Sequence, residues 1–320
     1  LVLFACIIFL IRRNIIRIKR FWSAEMKGWP TMDGNLILIF EILLMSAFLI
    51  MNASDLILQD KSPSYYHKTG SFPISSFIAP LLSNLSVDSL IFIERFCWWF
   101  HIVGILTFLN YLAISKHLHI LLAFPSTYYS KLNPKGQFSN MESVTKEVKI
   151  MLDPNADPFS QPVESNPVRF GAKDVKDLNW LQLLNSYSCT ECGRCTSECP
   201  ANFTGKKLSP RKIMMDVRDR LEEVGRGIDK NGANFNDKKA LLGDYIKPEE
   251  LWACTSCNAC VEACPINIDP LSIIMDLRRY AVMEESSAPS ELNSVFSNIE
   301  NNGAPWPFPS AERLKWKDDE

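Results

Sequence analysis

Eight of the ten cysteines in this 320-residue chain fall into two runs of one spacing: Cys189, Cys192, Cys195 and Cys199 before Pro200, and Cys254, Cys257, Cys260 and Cys264 before Pro265. Nothing else in the sequence constrains the fold as tightly. Cysteines two and three residues apart make poor staples, and a chain of this length buries enough core to need none. The spacing suits metal. In C-x2-C-x2-C-x3-C-P, three thiolates wrap one cubane while the fourth, held off by the longer gap and the proline, reaches the other. The expected sets are Cys189, Cys192, Cys195 and Cys264 on one [4Fe-4S] cluster, and Cys254, Cys257, Cys260 and Cys199 on the second. Zinc also takes four cysteines, but structural zinc sites usually arrive as separated C-x2-C pairs.

The repetition extends past the cysteines. Ser209-Pro210-Arg211-Lys212-Ile213-Met214-Met215-Asp216-Val217-Arg218 follows the first run, and Asp269-Pro270-Leu271-Ser272-Ile273-Ile274-Met275-Asp276-Leu277-Arg278 the second. Each opens with a helix-capping residue and a proline at the first helical position, then presents an Ile/Met face. Leu178–Tyr187 and Pro248–Ala253 read as helices leading into the cysteine loops. A helical two-cluster ferredoxin with pseudo-twofold symmetry follows, since the two runs lie too far apart for a compact β-rich ferredoxin. Gly193, Ala201, Ala259 and Ala263 are small enough to let the backbone approach the sulfides.

The other half of the chain has a different character. Overall, 47% of residues are hydrophobic and the net charge is −2, which favours neither disorder nor a nucleic-acid surface. The apolar residues crowd into positions 1–125. Residues 1–11 (LVLFACIIFLI) are followed by Arg12, Arg13, Arg17, Lys19 and Arg20. They read as the end of a spanning helix, too short alone for a core that takes about 20 residues. The chain opens on Leu, and further sequence is expected upstream. Spans are expected over Leu36–Leu58 and Leu90–Ile114, with residues 71–86 as an outer-face or re-entrant segment. Lys and Arg, with Lys27 included, concentrate between the first and second spans, whereas only Lys61 and Lys68 lie in the 52–90 connection. By the positive-inside rule the first connection is cytoplasmic and the third span returns the chain inward near Lys116. The cysteine-rich half is thus expected in the reducing compartment, at the inner face of a cytoplasmic membrane.

The sequence has four histidines, His67, His101, His117 and His119. On one continuous helix, His101 and His119 lie about five turns apart on one face, where two stacked b-type haems need axial imidazoles. His117 points elsewhere, toward headgroups. The same pair also reads as simple interface markers at the two ends of a span, and bis-histidine ligation needs opposing imidazoles that the second span lacks. From Ser126 to about Asp177, Pro134, Pro154, Pro158, Pro162 and Pro167 punctuate polar sequence that reads as a tether, with a short helix over Met141–Met151. The resulting division is a transmembrane helical domain over 1–125, a linker over 126–177, a helical ferredoxin domain over 178–285 and a tail over 286–320. The fold class is all-α.

At CTECGRCTSECP and CTSCNACVEACP, behind a membrane domain, the chain resembles the heterodisulfide reductase-like family of membrane iron-sulfur oxidoreductases. The helical ferredoxin is also similar to that of succinate dehydrogenase iron-sulfur subunits. WWFHIVGILTFLNYLAISKHLHI resembles the haem-ligating helix of nitrate reductase gamma-type subunits, whose two histidines match His101 and His119. The resemblance implies an electron-transfer subunit of a membrane-bound oxidoreductase, exchanging electrons between quinone and a cytoplasmic redox partner through the clusters and b-type haem. Fused relatives continue into cysteine-rich CCG modules, whereas no cysteine follows Cys264. A separate CCG-type iron-sulfur or flavoprotein subunit is therefore the expected partner, with the aromatic, proline-rich tail as a docking strip. No dinucleotide fingerprint, nucleophile motif or open metal ligand set points to substrate activation. The competing reading is a membrane-anchored iron-sulfur redox sensor or scaffold without sustained turnover.

Overall fold

The computed structural model describes residues 1–134, 136–155 and 169–318. Among them the regular structure is helical, with no strand beyond an isolated bridge between Leu242 and Ile246. The chain is all-α, as expected. It divides into two units: Leu1–Pro125 with Tyr187–Gly193, and Ser126–Ser186 with Arg194–Glu320.

The first unit is built on α1 (Val2–Asn14), α2 (Trp29–Lys61) and α3 (Val87–Leu112). α2 has 33 residues with a mean hydropathy of 2.3 over an 18-residue stretch, and α3 has 26 with 1.5 over such a stretch; both are long and apolar enough to cross a bilayer. At 1.5 Å per residue they measure roughly 50 and 39 Å, against a hydrocarbon core of about 30 Å. Ser86 starts α3 by accepting the Ser89 N–H at 3.3 Å. Phe92, Phe96, Trp99, Val103 and Leu106, three and four residues apart, are each more than half exposed along α3. That apolar stripe is what a helix offers to lipid. On the opposite side Gly104 lets α2 approach, because a Cβ there would lie 2.5 Å from Leu44 Cδ2. The basic end of α1 is tied to α2 where Arg13 Nε and Asn14 Nδ2 donate to Asn35 Oδ1 at 3.1 and 3.2 Å.

The histidine expectation needs correction here. α3 ends at Leu112, and His119 opens a separate helix, α4 (His119–Tyr128). Ser115 makes the break, with extended backbone at φ −108 and ψ 153. Its hydroxyl donates to Asp33 Oδ1 at 2.7 Å and accepts the His117 N–H at 3.1 Å. Asp33, 2% exposed, also accepts the Tyr111 hydroxyl and the Lys116 N–H. A buried carboxylate needs such donors, and collecting them here turns the chain out of the helix. His101 and His119 therefore do not share a helical face. His117, expected to turn to headgroups, instead packs its ring on Phe108 and His119 at 5.3 and 5.7 Å.

Beyond α4, the short helix expected over 141–151 is present as α5 (Glu142–Leu152). The segment with Pro158, Pro162 and Pro167 lies outside the described residues.

The second unit takes in α6 (Trp180–Ser188) up to Ser186, then α7 (Pro210–Asn231), α8 (Pro248–Trp252), α9 (Pro270–Met283) and α10 (Ser290–Asn302). Its core draws Ile213, Met214 and Val217 from α7 and Ile273, Ile274 and Leu277 from α9, with Leu241, Ile246 and Leu251 between them. The repeated capping signals act as read: Ser209 Oγ accepts the Lys212 N–H at 3.4 Å, and Asp269 Oδ1 the Ser272 N–H at 2.9 Å.

The repeat also builds two matching polar latches. Gln182 caps the Asn179 N–H at the start of α6, and its amide donates to Asp276 at 2.7 Å, with Ser272 alongside at 3.4 Å. Glu250 caps the Lys247 N–H at the start of α8, and Lys212 joins it to Asp216 at 3.0 and 2.7 Å. Each latch fastens an entry helix to the long helix that follows the opposite run. The positions correspond and the charges do not. A third clamp centres on Arg220, whose side chain is 3% exposed and pairs with Asp174 and Asp237 at 2.8 and 2.6 Å.

Candidate cluster-binding site

The two cysteine runs fold alike. In each, the residue two after the first cysteine and the residue directly after the second take left-handed backbone: Glu191 (φ 56) and Gly193 (φ 75), then Ser256 (φ 57) and Asn258 (φ 61). Left-handed backbone costs an ordinary L-residue roughly 1–2 kcal/mol. Paying it at matching positions in both loops indicates a shared purpose. Alternating handedness turns successive N–H groups to one side, the device by which backbone cradles anions and sulfides. In the second loop the Ser256 N–H donates to Cys254 Sγ at 3.4 Å.

Electrostatics link cysteines of the two runs. Burial raises the pKa of Cys254 and drives that of Cys260 up to about 12, and both feel Cys199 and Cys257. The fourth cysteine of the first run is therefore within electrostatic reach of the first and third of the second. Cys199 and Cys260 are buried, Cys257 is exposed, and Cys189, Cys192, Cys195, Cys254 and Cys264 are half-buried. Among the described residues, no three His, Cys, Asp or Glu side chains crowd tightly enough to share one metal ion. Burial makes the Cys254 and Cys260 thiols costly to ionise without nearby positive charge, which a bound iron-sulfur cluster would supply.

One residue of this site gave no signal in the cysteine pattern. Arg278 on α9 donates to Cys254 O at 2.6 Å and Leu251 O at 2.8 Å, and its guanidinium stacks 4.9 Å from the centre of the Trp252 ring. It holds the second loop from behind and sets a positive charge beside Cys254. The clue available in the sequence was its place in the repeat, where Arg218 occupies the matching position.

His101 and His119 belong to the first unit. Their Nδ1 atoms lie 3.0 Å from Leu44 O and 2.9 Å from Lys116 O. A carbonyl only accepts, so Nδ1 carries the hydrogen and Nε2 keeps the lone pair, the tautomer of a metal-ligating imidazole.

Residues 188–268 match the 4Fe-4S dicluster domain family. This is a protein with an iron-sulfur dicluster domain, and its relatives include oxidoreductases and subunits of heterodisulfide reductases. It is 33% identical to a probable iron-sulfur-binding oxidoreductase, FadF, of Bacillus subtilis, over 96% of this chain and 43% of the relative. It is 29% identical to the EtfAB:quinone oxidoreductase of Syntrophomonas wolfei, over 90% of this chain and 40% of that one. Over 32% of its length it is 38% identical to one polypeptide of a ferredoxin/F(420)H(2)-dependent CoB-CoM heterodisulfide reductase of Methanosarcina acetivorans, covering 49% of that polypeptide. The chain thus spans less than half the length of the first two. No solved structure matches it.

Proposed function

We propose that this chain carries electrons between a quinone in the membrane and a redox partner in the cytoplasm, and that the partner is a CCG-type iron-sulfur or flavoprotein unit. The observation that carries the reading is Cys199, from the first run, lying within electrostatic reach of Cys254 and Cys260 in the second. That crossing is what a two-cluster ferredoxin requires. Bound there, [4Fe-4S] clusters supply one-electron chemistry. The chain's own part is to hold the thiolates, bury them, and direct Ser256 N–H and the Arg278 charge at the second set. The proposed ligands are Cys189, Cys192, Cys195 and Cys264 for the first cluster and Cys254, Cys257, Cys260 and Cys199 for the second.

Quinone as the membrane-side carrier is supported by α2 and α3, each long enough to span a bilayer, and by the name of the Syntrophomonas relative. An inner location for that end of the bundle is supported by the basic residues between α1 and α2, under the positive-inside rule. Haem b on His101 and His119 is supported by the Nδ1–H bonds that leave both Nε2 atoms for iron. The remaining histidines are His67 and His117, and His117 is stacked on His119, so opposing imidazoles have to come from another polypeptide segment.

The test is anaerobic isolation of Cys199→Ala and Cys264→Ala. Cys199→Ala is expected to abolish the dithionite-induced paramagnetic signal that Cys254→Ala also abolishes, and to spare the signal lost in Cys189→Ala. Cys264→Ala is expected to do the reverse. Wild-type material that is colourless, or that holds zinc, would end the proposal. Membranes whose reduced clusters never react with a quinone analogue would favour a redox sensor instead.

A further inference from the structure

The two cysteine loops share their left-handed turns, yet differ sharply at one of them. Where the second loop has Ser256, the first has Glu191. Serine satisfies the backbone at that position, so wrapping a cluster does not call for an acid. The Glu191 carboxylate is 2% exposed and is held by the Lys116 ammonium, itself 9% exposed. Lys116 lies just past the end of α3. Its ammonium also donates to Pro30 O at 2.6 Å and its backbone N–H to Asp33 at 3.0 Å. Asp33 in turn takes the Tyr111 hydroxyl from the last turn of α3 and Ser115 Oγ from the break that follows. The Arg13 guanidinium, from the basic end of α1, is within electrostatic reach of both Glu191 and Asp33. Two acids and two bases thus form a charge-balanced group at one end of the apolar bundle.

A buried ion pair adds little stability, because desolvation consumes most of the attraction. Its value lies in fixing one arrangement over others. From this we propose that Glu191 and Lys116 are positioning residues: the pair pins the loop carrying Cys189 and Cys192 to the lipid-spanning helices, making the first cluster the one that exchanges electrons with the lipid-soluble carrier. The second loop, with Ser256 and the exposed Cys257, is left for the water-soluble partner. This rests on the electron-carrier reading above and adds to it the order of the centres.

The discriminating variant is Glu191→Ser, which copies the second loop and so keeps the turn while removing the pin. Lys116→Met removes the other half, Lys116→Arg conserves it, and the double variant closes the cycle. In membranes prepared anaerobically, Glu191→Ser is expected to retain wild-type iron content and both paramagnetic signals, with the first signal altered in shape. Reoxidation of dithionite-reduced clusters by a lipid-soluble quinone analogue should slow tenfold or more, while reoxidation by ferricyanide keeps its rate. Lys116→Met should match it, the double variant should be no slower than either, and Lys116→Arg should recover most of the rate. Wild-type reoxidation by the quinone analogue in Glu191→Ser, equal slowing with both oxidants, or loss of both clusters would each overturn the assignment. If reduced wild-type clusters fail to react with any quinone analogue, the electron-carrier reading falls. The shape of the first signal then still tests the pin.

Discussion

Arg278 shows how one side chain serves both folding and chemistry. Its guanidinium ties Leu251 O and Cys254 O, and its charge lies beside a thiol that burial alone would keep protonated. A nearby positive charge stabilises the added electron of a reduced cluster, so net charge is one of the levers on potential. Arg278→Gln is expected to shift the midpoint of the second cluster to more negative values, by on the order of tens of millivolts, and to leave the first unchanged. A potentiometric titration followed by low-temperature paramagnetic resonance checks it. The dicluster domain itself was legible from the cysteine spacing, because ligand geometry is written in short sequence intervals. Arg278 and Glu191 were not, because each acts through tertiary contacts across tens of residues, and nothing local distinguishes such residues from solvated charges.

Among the elements, the helices were easier to anticipate than their ends. The apolar runs and the capped, proline-started repeats placed α2, α3, α7 and α9, since periodicity and capping are local properties. The end of α3 at Leu112 was missed because it is decided by Asp33 on α2, which captures Ser115 and the Lys116 N–H. A similar long-range constraint governs Gly171, which has φ +72 and would bring a Cβ within 2.2 Å of Asp276 O and 2.6 Å of Tyr280 N on α9. Backbone atoms of a packed helix cannot move aside. Gly171→Ala is expected to destabilise the second unit by roughly 3 kcal/mol or more through combined clash and left-handed strain. Thermal unfolding followed by circular dichroism, compared with an exposed Gly205→Ala control that is open at its Cβ, measures the difference.

At the scale of the whole molecule, the two latches make the repeat asymmetric in its response to acid. Burial raises the Asp216 carboxyl to about 6, against the pull of Lys212. A carboxyl whose folded pKa is raised holds its proton more tightly when folded. Its contribution is therefore full below the unfolded value and is lost as pH rises through about 6. Asp216→Asn, always neutral, is expected to gain on the wild type between pH 4 and 7 by on the order of 1–3 kcal/mol. Asp237 has the opposite sign: Arg220 holds it down to about 2, so its contribution stands above the unfolded pKa and is lost as pH falls through about 2. Melting temperatures of wild type and Asp216→Asn across that range, in one detergent, should diverge upward with pH. Parallel curves would contradict the latch argument.

The company that Cys199 keeps has a consequence for biosynthesis. A ribosome that has delivered residues 189–199 has released only three of the thiols expected on the first centre and a fourth destined for a centre not yet made. Neither half of the repeat can then be charged with iron as it emerges. On the ligand sets proposed above, both must wait for the final turn at Cys264, and a polypeptide cut anywhere in α7 would divide each set of ligands between two fragments.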